Sequence, residues 1–283
     1  MPTPDDPTPA PAGAAPVPHL GLALGGGGAR GLCHVGVMRV LGELGIHPDV
    51  VAGTSMGGLI GAFVAAGYDA DQLDEIAKDV RWTRLIDWRI TGRILSTKAF
   101  EAWLADHLPS TFEELELPLV LTATNLVDGQ IHYFRQGDLQ AAIRATTAYP
   151  GVIEPVEVDG ALMVDGGILN QLPVDGALFL GARRVIAVNA TPLVRDELPS
   201  AEEESARRRS RLTALREVFR SIDVMQAQLT NARLSFYRPD VILDPVIDGM
   251  EISDFHKAAQ AIEAGALAAR ERSEELLEAA AHD

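Results

Sequence analysis

Two consecutive strand–turn–helix units near the start of the sequence constrain the fold more than any other feature. In the first, the apolar run from Leu20 to Leu24 precedes four glycines, and apolar residues then recur at helical spacing as far as Gly45. In the second, residues 49–52 precede a glycine-containing turn, and an apolar helix ends at Gly67. A strand–helix–strand unit of this kind closes right-handed into parallel neighbours. Both glycine-rich turns are therefore expected at the carboxyl edge of one sheet, in an α/β protein.

Later segments continue the α/β pattern. The sequence predicts strands over 119–124, 184–189 and 241–243, a hairpin of 156–158 and 161–164 around Asp159-Gly160, and helices over 137–148, 174–180, 212–229 and from about 254. Residues 1–18 hold seven prolines and predict a disordered tail. Residues 19–283 are expected to form a single α/β domain with helical decoration near its C-terminal end.

Composition excludes several classes of function. The chain carries 24 Lys+Arg against 40 Asp+Glu, a net charge of −16, which argues against a nucleic-acid partner. Its one cysteine, Cys33, forms no intrachain disulfide and suits a reducing compartment, so we expect a cytoplasmic protein. No apolar run reaches the roughly 18 residues of a membrane span. No Cys/His cluster has metal-ligand spacing, and we expect neither a metal nor a cofactor.

The first candidate for chemistry is the GxSxG sequence from Gly53 to Gly57, between an apolar strand and a helix. This context is the one that a nucleophile elbow requires, because small neighbours let the chain turn sharply and expose Ser55. The helix that follows would aim its N-terminal amides at an oxyanion beside the serine. The alternative interpretation is an ordinary strand-to-helix turn in which Ser55 is only an N-cap.

The second candidate is the glycine turn from Gly26 to Gly31, which contains Arg30 and also matches GxGxxG. A dinucleotide-binding loop would need an acidic residue about 20 positions later, and Asp49 is the candidate. An oxyanion hole would instead use free backbone N–H groups of Gly26, Gly27 and Gly28. The neighbouring serine favours acyl transfer over nucleotide binding.

The third candidate is Asp165, followed by Gly166 and Gly167 at the end of the predicted hairpin. Partial burial would raise the pKa of its carboxyl and make it a useful base. The alternative is an ordinary Asp-Gly turn. A rival triad combines Ser55 with His256 and one of three acids in the order of α/β-hydrolases; these acids are Asp240, Asp244 and Asp248.

Together these motifs resemble the patatin-like phospholipase family, particularly its bacterial members. The matching residues are GGGARG at Gly26 to Gly31, GTSMG at Gly53 to Gly57 and DGG at Asp165 to Gly167. Residues 148–151 and 165–173 support the resemblance, which covers roughly residues 20–189. Three motifs in this order are far more specific than one.

The resemblance implies a Ser-Asp dyad without histidine: Ser55 as nucleophile, Asp165 as base, and an oxyanion hole in the glycine turn. It also implies a three-layer α/β/α sandwich around a mostly parallel sheet and hydrolysis of lipid acyl esters. This chain has Thr146 and Thr147 where the family commonly has a serine, and Asn125 where an aspartate is common. We expect neither departure to touch the dyad.

The sequence therefore predicts a serine esterase that acts on fatty-acyl esters through an acyl-enzyme. Two other interpretations remain beside the triad: a nucleotide-binding module, and a regulatory protein that keeps the fold with weak turnover. Between Arg81 and Arg93, Trp82 and Trp88 lie among four arginines, which would suit a lid in peripheral contact with lipid head groups. Arginines solvated around a packed tryptophan are the plainer interpretation of that segment.

Overall fold

The computed structural model describes residues 18–79, 98–191, 212–247 and 249–281. The predicted tail, apart from Pro18, lies outside these ranges. So do Trp82, Trp88 and the other residues of the predicted lid segment.

A mixed sheet of eight strands forms the centre of the molecule. The strands are β1 (Leu20–Leu24), β2 (Val50–Thr54), β3 (Leu119–Asn125), β4 (Ile131–Phe134), β5 (Val156–Val158), β6 (Ala161–Asp165), β7 (Arg184–Val188) and β8 (Val241–Leu243). Their order is β5-β6-β3-β2-β1-β7-β8, and β4 also pairs with β3. The strands β3, β2, β1, β7 and β8 are neighbours in this order and run parallel. Strands β4 and β6 pair antiparallel with β3, and β5 pairs antiparallel with β6.

Nine α-helices in the described ranges surround the sheet. They are α1 (Cys33–Glu43), α2 (Met56–Ala65), α3 (Ala70–Asp79), α4 (Lys98–His107), α5 (Leu139–Thr146), α6 (Val174–Phe179), α7 (Leu212–Leu234), α8 (Ala258–Glu271) and α9 (Ser273–Ala280). Short 3-10 helices lie at Gly28–Leu32, Phe112–Glu114, Gly166–Ile168 and Phe255–Lys257. None of the described helices combines the length and apolar character needed to cross a membrane.

The central strands are apolar on both faces because helices cover both. Leu22 and Leu24 of β1 join the larger core cluster with α1 and α2, whereas Ala23 points to a second cluster with α6. All five residues of β1 and of β2 are buried, the pattern expected for parallel strands inside an α/β protein. The predicted mostly parallel sheet with helices on both sides is confirmed.

The structure differs from the predicted elements in two respects. Helices α3 and α4 and strand β4 were not predicted. Half-exposed β4 has only four residues and is bounded by exposed ones, which weakens its sequence signal. The single helix predicted from about residue 254 is two helices in the structure. Arg272, between them, leaves the helical backbone region, and its guanidinium donates to the carbonyl of Ile242 at 3.0 Å.

Candidate active site

The turn at Ser55 has the geometry of a nucleophile elbow. Ser55 follows the last residue of β2 and caps α2, with φ 55° and ψ −125°, a strained region for a residue other than glycine. The close approach of β1 requires Gly57, since a Cβ there would lie 2.2 Å from the carbonyl oxygen of Leu24. The side chain of Ser55 is therefore presented at the carboxyl edge of the sheet, beside the N-terminus of α2.

A hydrogen bond that the sequence did not predict holds this turn. The backbone N–H of Ser55 donates to Oγ1 of Thr146 at 2.8 Å. Thr146 is fully buried and ends α5. The expectation that Thr146 would not touch the dyad is wrong, because the hydroxyl of a threonine at this position reaches the main chain of the serine.

Asp165 lies at the end of β6, where its carboxylate is almost completely buried. Oδ1 accepts the N–H of Gly167 at 2.7 Å, whereas Oδ2 has no hydrogen-bond partner of normal geometry among the described residues. Burial raises the pKa of Asp165 to about 7, and interactions with the Ser55 hydroxyl and the Gly167 N–H oppose that rise. The serine hydroxyl therefore lies within interaction distance of a carboxyl group that titrates near neutral pH.

The glycine turn supplies backbone N–H groups beside Ser55. The N–H of Gly26 donates to the carbonyl of Gln171 at 2.9 Å and is therefore occupied. The N–H groups of Gly27 and Gly28 make no hydrogen bond to another residue in the described ranges. Gly28 has φ 56°, and a Cβ there would lie 2.5 Å from the carbonyl oxygen of Ile252, so this turn needs glycine.

A narrow cleft joins these features. It encloses about 280 Å³, including its open mouth, and is lined by Gly27, Gly28, Arg30, Ser55, Tyr149, Asp165, Gln171, Asp223, Gln226 and Ile252. Burial raises the pKa of Tyr149 above its usual value, and the charges of Asp223 and Asp165 add to that rise. The cleft brings the serine, the carboxylate and the two amides of the glycine turn to one place.

Known proteins resemble this chain in sequence and fold. The family model described as patatin-like phospholipase matches residues 22–178. The chain belongs to the patatin-like phospholipase family. It is 39% identical over 209 residues to an uncharacterized NTE family protein of Mycobacterium tuberculosis, a match that covers 68% of this chain and 56% of that protein.

Two other relatives extend the comparison. The human patatin-like phospholipase domain-containing protein 6 is 31% identical over 182 residues, which cover 60% of this chain and 13% of that protein. The crystal structure of VipD from Legionella pneumophila superposes with a TM-score of 0.55 at 14% identity, covering 94% of this chain and 68% of VipD. The chain thus spans only part of these relatives, and the VipD similarity shows the fold alone.

The remaining motif residues of this patatin-like chain make close contacts and hydrogen bonds in the turns around the site. Arg30 is buried, and its Nε donates to the carbonyl of Gly27 at 3.4 Å. A Cβ at Gly31 would meet Met56 at 2.7 Å, and one at Gly166 would meet Thr122 Oγ1 at 2.3 Å. Gly53 is the last residue but one of β2. The N–H of Gly167 donates to Oδ1 of Asp165.

His256 and the two described acids of the rival triad do not line the cleft. His256 is exposed in the 3-10 helix Phe255–Lys257 and does not line the cleft, nor does any other histidine in the described ranges. Asp240 binds Arg184 and the N–H of Val185, and Asp244 binds Asn189. Asp248 lies outside the described residues.

Asp49, the candidate acid of the nucleotide-binding interpretation, forms its hydrogen bonds away from the glycine turns. Oδ2 of Asp49 accepts the backbone N–H groups of His19 and Leu20, both at 2.8 Å, just before the amino end of β2. The glycine turns lie at the opposite edge of the sheet. In the described ranges, no group of three or more His, Cys, Asp or Glu residues is arranged to hold a metal ion.

The cleft also contains residues that sequence reasoning did not place in the site. Tyr149 and Gln171 belong to stretches that supported the family resemblance, but nothing in their spacing indicated a contact with the cleft. Asp223 and Gln226 lie on α7, for which the apolar spacing predicted a helix but not the direction of its polar residues. Ile252 lies in an irregular loop and gave no signal.

Proposed function

We propose that this chain hydrolyses fatty-acyl esters of lipids with Ser55 as nucleophile and Asp165 as proton acceptor. The observation that carries the proposal is the shared cleft, in which the serine hydroxyl meets a buried carboxylate and the described lining holds no histidine. Membership in the patatin-like phospholipase family supports the substrate class. A relative named lysophospholipase NTE1 from Mycosarcoma maydis, 34% identical over 184 residues, supports it further.

In the first half-reaction, Ser55 Oγ attacks the ester carbonyl carbon while Asp165 accepts the hydroxyl proton. The negative charge that forms on the carbonyl oxygen is placed near the amides of Gly27 and Gly28 and the N-terminus of α2. The intermediate then collapses, the bond to the alcohol oxygen breaks, and Asp165 returns its proton to the leaving alcohol. The product is an acyl ester on Ser55.

In the second half-reaction, water attacks the acyl-enzyme. Asp165 takes a proton from the water, and the same amides donate hydrogen bonds to the oxyanion. Collapse releases the fatty acid and returns the proton to Ser55. A carboxyl with a pKa of about 7 suits both roles, because it is ionised often enough to accept a proton and acidic enough to return it.

Kinetics on a soluble short-chain ester test the proposal. Ser55→Ala and Asp165→Asn should each lower kcat/KM by about 10³-fold or more, because each removes a group that acts in the transition state. His256→Ala should keep the wild-type rate. Loss of activity in His256→Ala, or retention in Asp165→Asn, would favour a histidine base instead. Equal circular dichroism spectra would show that the variants remain folded.

A further inference from the structure

His34, in the first turn of α1, is a fully buried histidine that the proposed reaction steps do not use. Its Nε2 lies 2.7 Å from the carbonyl oxygen of Gly25, the residue that follows β1. Because a carbonyl oxygen can only accept a hydrogen bond, the ring donates from Nε2 and carries its proton there. Burial lowers the pKa of His34 to about 4, so the ring is neutral at neutral pH and has this one N–H.

The other ring nitrogen indicates that stability alone does not explain this histidine. Nδ1 is buried and has no hydrogen-bond partner among the described residues. A buried acceptor without a partner costs stability, and an apolar side chain of similar size would avoid this cost. The N–H at Nε2 is therefore the group that distinguishes histidine from leucine at position 34.

The carbonyl of Gly25 lies between the glycine turn and the GxSxG turn. A Cβ at Gly57 would lie 2.4 Å from this oxygen, so the carbonyl packs against the backbone of the GxSxG turn. The C=O of Gly25 and the N–H of Gly26 belong to one planar peptide group and point in opposite directions. His34 holds the oxygen of this group, and the carbonyl of Gln171 accepts its N–H at 2.9 Å. The peptide group is therefore fixed at both ends.

The two amides of the proposed oxyanion hole follow this peptide group directly in the chain. They are the N–H groups of Gly27 and Gly28, which make no hydrogen bond to another described residue. The carbonyl of Gly27 accepts the backbone N–H of Arg30 at 3.2 Å, which holds the peptide group that carries the Gly28 N–H. Consecutive glycines would otherwise adopt many conformations, whereas an oxyanion hole needs donors that are in place before the reaction. The anchored peptide groups on either side of the Gly27 amide supply that order.

Helix α1 gives His34 a rigid base. A Cβ at Gly36 would lie 1.8 Å from the carbonyl oxygen of Ile262, and one at Gly265 would lie 1.9 Å from that of Cys33. The backbones of α1 and α8 are therefore in direct contact beside His34. The packing of two helices, and not the glycine turn itself, sets the position of the imidazole ring.

We propose that His34 is a positioning residue, whose hydrogen bond from Nε2 to Gly25 keeps the amides of Gly27 and Gly28 directed at the oxyanion. This inference rests on the proposed hydrolase function and deepens it, because it names the side chain that orders the oxyanion hole. His34 neither touches the substrate nor exchanges a proton. Its effect is felt in the transition state, when negative charge forms on the carbonyl oxygen of the ester.

Steady-state kinetics on a soluble short-chain ester test this role. His34→Leu removes the donor and should lower kcat by about 10- to 100-fold with less than about a twofold change in KM, because donors to the oxyanion act in the transition state. His34→Gln, whose amide nitrogen can take the place of Nε2, should recover most of kcat. The midpoint of the pH profile should stay near 7 in both variants, because Asp165 is unchanged.

The matched control is Leu41→Ala, a change at a buried residue two turns farther along α1. It should lower the melting temperature but keep kcat, because it lies toward the far end of the helix from the glycine turn. If His34→Leu does not fold, His34→Asn takes its place. The shorter side chain of asparagine cannot reach Gly25, so this variant should show the same loss of kcat.

Inhibition by an alkyl trifluoromethyl ketone measures the oxyanion hole separately from turnover. Ser55 Oγ bonds to the ketone carbon, the hydroxyl proton passes to Asp165, and the ketone oxygen becomes an alkoxide in the place of the oxyanion. The inhibition constant should rise in His34→Leu by the same factor as kcat/KM falls, and it should return toward the wild-type value in His34→Gln. An inhibition constant that does not change in His34→Leu would overturn the inference.

The kinetic outcomes separate this inference from the proposed function. Hydrolysis that depends on Ser55 but has the same kcat in wild type and His34→Leu would overturn the inference alone. Equal losses of kcat in His34→Leu and His34→Gln, or an equal loss in Leu41→Ala, would also overturn it. Hydrolysis that persists in Ser55→Ala would overturn the proposed function and the inference with it.

Discussion

Thr146 Oγ1 accepts the backbone N–H of Ser55 at 2.8 Å, so the end of α5 holds the turn that carries the proposed nucleophile. Thr146→Val keeps the shape and removes the acceptor, which leaves a buried N–H without a partner and should cost about 1–3 kcal/mol of stability. It should also lower kcat, because the turn loses its fixed position. Thr146→Ser keeps the hydroxyl and should keep kcat near the wild-type value.

Ester hydrolysis by the two Thr146 variants, with urea unfolding of each, checks this relationship. Equal kcat values for the valine and serine variants would show that the hydroxyl does not position Ser55.

The rate should depend on pH through the buried carboxyl of Asp165. Its pKa is raised to about 7 by burial, and only the ionised form accepts the proton of Ser55. We expect kcat/KM on a neutral ester to rise with pH, with a midpoint near 7, and then to level off. Burial lowers the pKa of His34 to about 4, so His34 should not contribute to this rise. A plateau that extends down to pH 5 would contradict the raised pKa.

The same carboxyl should make stability depend on pH. Its pKa is higher in the folded protein, about 7, than its usual value of 3.8. The folded state therefore favours the neutral form, and the group's contribution is present below about pH 4 and lost as the pH rises through 7. Asp165→Asn carries no ionisable group, so its stability relative to wild type should rise between these limits and stay higher above pH 7, by roughly 4 kcal/mol.

Urea unfolding of wild type and Asp165→Asn at pH 4.5 and pH 8 measures that difference directly. A difference that is the same at both pH values would mean that Asp165 has its ordinary pKa in the folded protein.

Gly57→Ala should destroy the turn beside Ser55. The added Cβ would lie 2.2 Å from the carbonyl oxygen of Leu24, and because its three nearest atoms all belong to the backbone, no side chain can move away. We expect a loss of stability of about 3 kcal/mol or more and no measurable hydrolysis. Gly42→Ala is the matched control: nothing lies within 4 Å of its Cβ, and it should stabilise helix α1 by about 0.5–1 kcal/mol. Similar melting temperatures for the two variants would contradict the close approach.

The sequence predicted the parallel strands and the motif positions well because they depend on local signals. Unbroken apolar runs identified β1 and β2, and the motif glycines marked the turns at Ser55 and Asp165. Asp159 and Gly160, with φ values of 51° and 76°, form the predicted hairpin turn.

The remaining parts of the site depend on contacts between distant segments. The bond from Ser55 to Thr146 spans 91 positions, and the ion pair from Arg30 to Asp223 spans 193. The occupied N–H of Gly26 depends on the carbonyl of Gln171, a contact that no spacing rule predicts. Apolar periodicity identified α7 as a helix, but only the fold shows which of its faces meets the cleft.

Labelling with a fluorophosphonate tests the proposed dyad most directly, because the reagent bonds to the oxygen of an activated serine and releases fluoride. We predict one adduct, which peptide mass mapping locates at Ser55. Labelling should be strongly slowed by Asp165→Asn and unchanged by His256→Ala. An adduct at another serine, or labelling that depends on His256 and not on Asp165, would contradict the Ser55–Asp165 mechanism.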